Sequence, residues 1–187
     1  MDFKKQYIIL ILLFIFVSSS NSEEKNFSEF LNAFGMKASN ISGYGFYYNR
    51  RINKEFQIQS MGLIYYYVNK DEQNEYKNFN YDIGLELQRN MFKSQSNRWY
   101  LMAGAYYYYD DESDKSSENS KTIVNNSFNI GVGLGYEYHY KRFLFSLELG
   151  YKFFEDHKVI TETGLPAYPV LDRLTKIGLG CGIGFTF

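Results

Sequence analysis

From Ser39 onward the chain repeats one pattern, apolar residues at every second position broken by short polar stretches. The last run is the cleanest. Ile177, Leu179, Cys181, Ile183, Phe185 and Phe187 share one parity, while Lys176, Gly178, Gly180, Gly182, Gly184 and Thr186 share the other. Successive side chains of a strand point to opposite faces, so this segment reads as a strand with one apolar face and one nearly bare face. A helix would scatter the same residues around its circumference. The signature recurs in Phe143–Phe153, Phe128–His139 and Phe79–Gln88. Three further segments, Asn40–Asn49, Phe56–Val68 and Trp99–Tyr109, alternate less strictly. In Phe56–Val68 the apolar residues change face near Ser60, which predicts a bulge there.

The connections alternate in character. Arg50–Lys54, Asn90–Asn97 and the bend at Tyr140–Lys141 are short; Asn69–Glu75, Asp110–Lys121 and Glu155–Arg173 are longer and more polar, and the last holds both prolines. Short turns at one end and long loops at the other are expected of an up-and-down antiparallel transmembrane β-barrel with its long loops outside the cell. Aromatic residues fall where its two interfaces belong. Trp99, Tyr136 and Tyr138 lie near short turns, and Tyr107 and Tyr109 lie near a long loop. About nine residues at 3.3 Å each, tilted by roughly 40°, rise about 23 Å, close to the ~25 Å apolar band of such barrels.

Ahead of this region stands a different kind of segment. Lys4 and Lys5 precede an apolar run from Tyr7 to Val17, and small residues follow through Ser22. A basic start, an apolar run of 7–15 residues and small residues at a cleavage site describe a secretory signal peptide, expected over residues 1–22. Residues 23–38 form an N-terminal segment with two readings. Phe30, Phe34 and Met36 share strand parity, whereas Phe27, Phe30, Leu31 and Phe34 fit a helical stripe. Since bacterial barrels carry even strand numbers, this segment is either the eighth strand or a short helix plugging the barrel formed by residues 39–187.

Composition narrows the picture. A net charge of −1 excludes the basic face that nucleic acid requires. Nineteen Tyr and 17 Phe against two Pro favour strands. The single Cys181 excludes an internal disulfide, and its parity reads as lipid-facing. The mean hydropathy of −0.39 excludes a bundle of membrane helices but not a barrel, which hides its apolar residues at alternate positions.

On these residues the chain resembles the small outer-membrane β-barrels of the eight-stranded OmpA/OmpX type, over roughly Ser39–Phe187. The most specific likeness is the closing strand, where Gly182, Phe185 and the terminal Phe187 match the family's ending and Cys181 stands where a polar residue is usual. The resemblance implies that this ending is read by the barrel-assembly machinery. It also implies residence in the bacterial outer membrane, with outer-membrane lipid as the surrounding partner.

Candidate chemistry lies on the glycine-rich face, expected to point into the barrel. Asp82, Glu86, Glu148, Lys152 and Lys176 share that face, and buried charges must be paired. Lys152 and Lys176 are expected to neutralise Glu148 and Asp82. Such a cluster serves either as a polar plug or as a gated ion path, and a narrow eight-stranded lumen favours the plug. Ser127, His157 and the neighbouring Glu155 and Asp156 allow an outer-rim hydrolase to be imagined, although no motif frames them. The acidic stretch Asp110–Lys121 lacks the spacing of a calcium loop and reads as a solvated loop. Its charge also disfavours direct contact with anionic lipid headgroups.

The sequence therefore predicts a non-enzymatic envelope barrel with no catalytic, cofactor or metal residues and a structural or surface-contact role. A narrow pore, an outer-rim hydrolase and a soluble secreted β-barrel binder remain as alternatives.

Overall fold

The computed structural model describes residues 30–71, 74–116, 120–163 and 166–187. The expected signal peptide and residues 23–29 lie outside them. Eight strands follow one another: β1 (Asn32–Ser39), β2 (Gly43–Arg51), β3 (Phe56–Lys70), β4 (Asn74–Lys93), β5 (Asn97–Ser116), β6 (Ser120–Tyr140), β7 (Phe143–Glu162) and β8 (Tyr168–Thr186). Each pairs antiparallel with its sequence neighbour, and β1 pairs with β8 to close the ring. The eighth strand is thus Asn32–Ser39, so the helical reading of this stretch fails where it is described. The terminal strand seals the ring through reciprocal backbone bonds, Phe187 N to Asn32 O at 3.0 Å and Asn32 N to Phe187 O at 3.3 Å.

The ring is staggered. Following ladder partners from Gly35 through Tyr47, Met61, Gly84, Tyr106, Asn129 and Phe154 reaches Leu174 on β8, whereas Gly35 itself pairs with Gly184. A stagger of ten residues (184 against 174) tilts every strand to the barrel axis. Parity then divides the side chains. Leu147, Leu149, Ile177, Leu179 and Ile183 stand outward and exposed, while Glu86, Gln88, Arg98, Glu148 and Asn129 are buried within. This is the reverse of a soluble protein, where the apolar face turns inward.

Several expectations are corrected. The long polar connections are mostly strand: only 117–119 separate β5 from β6, and the acidic run Asp110–Ser116 belongs to β5. Both faces of these segments meet polar surroundings, so no apolar alternation betrays them, yet ladder bonds and cross-strand pairs such as Lys121–Glu162 at 2.8 Å hold them extended. The predicted bulge at Ser60 is missing, since β3 and β4 pair without a shift from Phe56↔Arg89 to Lys70↔Glu75. The apolar change of face there reflects interior filling by Met61, not a slip in register. A register shift occurs instead in β4 between Asn90 and Phe92. Finally, the strand expected to start at Asn40 starts at Gly43, because residues 40–42 form a turn.

Candidate functional site

β1 and β2 have 8 and 9 residues, whereas β4 to β8 have 19 to 21. The turn joining the two short strands therefore ends well inside the height of the molecule, and it folds across the lumen. Gly43 and Gly45 take φ of 116° and 121°, left-handed values that L side chains rarely adopt, and these two residues bend the chain inward. Ile41 and Ser42 at its tip are fully buried. A side chain at Gly131 of β6 or Gly178 of β8 would collide with Ile41, and one at Gly84 of β4 or Gly104 of β5 with Ser42, so these bare positions make room for the turn. Tyr44 follows, edge-on to Tyr106 with ring centres 6.3 Å apart, and its backbone N–H donates to Asp82 Oδ1 at 3.1 Å.

Below the turn runs a continuous buried polar chain. Lys37 of β1 donates to Glu86 of β4 at 2.8 Å and to Glu148 of β7. Glu148 also accepts from Ser39 at 3.0 Å and from the Tyr100 hydroxyl at 3.0 Å. Gln88 donates to Glu86 at 2.6 Å and accepts from Arg98 at 2.7 Å. Arg98 grips Glu137 through two bonds of 3.0 and 2.8 Å and lies over the Tyr100 ring at 4.3 Å. His139 Nε2 meets Glu137 at 2.5 Å. Lys37, Glu86, Arg98, Glu137 and Glu148 each thus meet an opposite charge, and Gln88, Tyr100 and Ser39 add neutral hydrogen bonds, the condition under which charges persist in a low-dielectric interior. Below it, a small cavity of about 20 Å³ opens among Asn49, Arg51, Gln57, Glu137, His139 and Thr186.

The expected charge residues divide between two levels. Glu86 and Glu148 meet in the lower chain, but their cation is Lys37, not Lys152 or Lys176. Lys152 donates to the Tyr106 hydroxyl at 2.9 Å above the turn, and Lys176 faces it across the ladder. Both ammonium groups rest on the Phe154 ring, at 4.5 and 5.2 Å from its centre. Asp82 is held by the Tyr44 backbone. The turn at residues 40–42 stands between the two lysines and Glu148, so that expected pairing does not form. Lys37 and Arg98 escape a reading of the sequence for different reasons. Lys37 sits in a segment open to two secondary structures, and Arg98 adjoins a polar turn. Their parity with Gly35 and Tyr100 is the available signal.

Outside the ring, Trp99 and Tyr136 touch with ring centres 4.9 Å apart, and Tyr136 donates to Asn97 at 2.8 Å. Tyr138 is exposed nearby. At the other level Tyr81 stacks on Tyr109 at 5.3 Å and tilts toward Tyr107 at 6.0 Å, with Phe79 and Tyr66 continuing the group. Phe185 packs edge-on to Phe143 at 5.9 Å, and Gly182 lies inside against Ser146 and Lys37. Ser127 and His157 do not form a catalytic pair. Ser127 is buried on the inner face, whereas His157 is exposed on the outer face and bonded to Glu155 at 2.8 Å.

Above the turn, ladder geometry brings charges together on strand surfaces. Lys77 donates to Glu75 at 3.2 Å, and that hydrogen bond holds the Glu75 carboxyl below its ordinary range. The hydrogen bond and charge of Glu162 hold Lys121 above its ordinary range.

No family model matches the chain, and no curated protein matches it. Solved structures do align with it. A major outer membrane protein from Thermus thermophilus matches at 12% identity and a TM-score of 0.47, over 83% of this chain and 99% of that one. Ail, the attachment invasion locus protein of Yersinia pestis, matches at 12% identity and 0.43, over 84% and 97%. The N-terminal β-barrel domain of Pseudomonas aeruginosa OprF matches at 19% identity and 0.43, over 84% and 95%. The eight-stranded closure itself rests on this chain's own ladders, which make it an all-β antiparallel barrel.

Proposed function

We propose that this protein is a bacterial outer-membrane β-barrel, non-enzymatic and closed to solute flow, whose strands beyond the membrane form a surface for contact. The observation that carries the reading is the inversion of its faces. Aliphatic side chains such as Leu85, Leu134, Leu149 and Leu179 stand exposed around the ring, while Lys37, Glu86, Arg98 and Glu148 are buried inside it. Water would make the outer band strongly unfavourable, at about 25 cal/mol per Å² of apolar surface, whereas hydrocarbon makes it neutral. The Trp99–Tyr136 and Tyr81–Tyr109 groups lie at the two edges of this band, where amphipathic rings favour the interface. The short turns face the periplasm, and Gly182, Phe185 and Phe187 offer the ending that the assembly machinery reads.

The contact role follows from length. A membrane strand needs about 9–11 residues, which β1 and β2 nearly satisfy, and β4 to β8 run roughly ten residues further. The pore alternative is disfavoured by the buried turn at Ile41 and Ser42, and the hydrolase by the opposed faces of Ser127 and His157. Fractionation of envelopes after carbonate or urea washing tests the reading. The protein is expected to stay with the outer membrane until detergent is added, and to run faster on a denaturing gel unheated than boiled. Release by washing alone would point to the soluble binder.

A further inference from the structure

The ring is complete only in its lower part. The β1–β8 ladder ends at Ser39↔Gly180, with one further pair of bonds between Asn40 and Leu179, and the β2–β3 ladder ends at Phe46↔Gly62. The neighbouring ladders continue much further, β3–β4 to Lys70 and β7–β8 to Tyr168. Residues 63–70 of β3 and 168–178 of β8 therefore have a strand on one side only among the described residues. The lower ring fixes the width of the notch between them. β1 and β2 sit between β8 and β3, so the two free edges start three inter-strand spacings apart, about 14 Å at ~4.8 Å each. That is the room taken by two additional strands.

The flanks and floor have a definite chemistry. Leu63, Ile64, Tyr65 and Tyr66 are exposed on one edge, and Tyr168, Val170 and Leu171 on the other. At the base, Lys176 is exposed on β8 beside Lys152, both resting on Phe154, and neither comes within 4 Å of a carboxylate among the described residues. Asp82 and Asp156 share the inner face but lie beyond that distance. A ribbon entering tip-first would set its turn on this cationic floor, and Asp-Gly is a favoured two-residue hairpin turn.

From this geometry we infer that the notch is a docking site for a β-hairpin of another protein. The hairpin carries an acidic turn and β-branched strands, and it pairs with both free edges at once, so that the outer sheet closes as a continuous ring. Backbone bonds supply the recognition and alternate side chains the selectivity, as in strand addition generally. The hairpin occupies the space directly above β1 and β2, in continuity with the ladders that those strands already make. The inference rests on the membrane-embedded reading above, which places the notch outside the cell.

The test uses the full mature chain in lipid nanodiscs and hydrogen exchange resolved by residue. The probe is a disulfide-closed hairpin peptide of about eight residues per strand, alternating Val and Thr, with an Asp-Gly turn. Three companions serve as controls: the same peptide N-methylated at alternate residues, a linear single strand, and a Lys-Gly turn version. The hairpin is expected to slow exchange tenfold or more in both 63–70 and 168–178, the N-methylated peptide and the linear strand to leave both unchanged, and the Lys-Gly version to bind at least tenfold more weakly. Lys176→Gln should narrow that last difference. Protection of both segments before peptide is added, protection of one edge only, or equal protection by the linear strand overturns the inference. A chain that never integrates into the nanodisc overturns the membrane reading instead.

Discussion

Lys37 and Glu148 lie 111 positions apart in sequence and are hydrogen-bonded to each other inside the ring, with Glu86 completing the group on the Lys37 ammonium at 2.8 Å. One lysine from the first strand thus joins the fourth and seventh strands across the lumen. This cation and its carboxylates tie three strands together across the interior, in addition to the ladders around it.

Replacing Lys37 by Met leaves Glu86 and Glu148 buried without their cation. Breaking a buried group in this way costs about 3–5 kcal/mol, while replacing the whole group with neutral residues is close to neutral. Urea unfolding in micelles, read by the gel shift, should show Lys37→Met strongly destabilised. Adding Glu86→Gln and Glu148→Gln should recover most of the loss.

A methyl group at Gly135 would fall on the Tyr100 ring, nearest its Cε2, Cζ and hydroxyl atoms. Because Tyr100 is itself fully buried, it has nowhere to move. Gly135→Ala should therefore cost about 1–3 kcal/mol, measured in the same unfolding assay. Tyr100→Leu in the same chain should relieve part of that cost, and Tyr100→Phe should not.

The outer band predicts a depth-dependent penalty. Leu147→Arg or Leu149→Arg should cost about 2–4 kcal/mol, the value for an arginine near the bilayer midplane. Val170→Arg, on the free edge above the band, should change stability by under about 0.5 kcal/mol. Equal effects at the three positions would place no bilayer around Leu147 and Leu149.

The hydrogen bond from Lys77 holds the Glu75 carboxyl below its ordinary range, so the pair favours the folded sheet when Glu75 is charged. A depressed folded value means that this contribution is full above the ordinary carboxylate range and is lost as pH falls through the lower folded value. Carbon-detected titration of the Glu75 side chain should show a midpoint below that of an unstructured glutamate. Lys77→Ala should move it upward.

Much of this architecture is legible from alternation. The run Ile177–Phe187 discloses both its faces because hydrocarbon on one side and a crowded lumen on the other impose opposite chemistries at successive residues. Where a strand has water on both faces, as in Asp110–Ser116, the period disappears and only ladder partners reveal it. β1 is ambiguous in sequence because Phe30 and Phe34 fit a helical stripe with Phe27 and Leu31 as readily as they share strand parity with Met36. Resolving it as a strand places Lys37 inside with Gly35. The inward turn at Ile41 is not legible, since the glycines that make room for it, Gly131 and Gly178, lie far along the chain and residues 40–42 carry no mark of it.

The account depends on hydrocarbon surrounding the bulky face, and spin-label accessibility measures this most directly. Labels placed singly from Phe145 to Gly150 in reconstituted protein, with Cys181→Ala as background, would be read with oxygen and with a water-soluble nickel chelate. The account predicts oxygen collisions peaking at 145, 147 and 149 and falling at 146, 148 and 150, with little nickel contact at the first three. Nickel contact at 145, 147 and 149 equal to that of a loop label would contradict it.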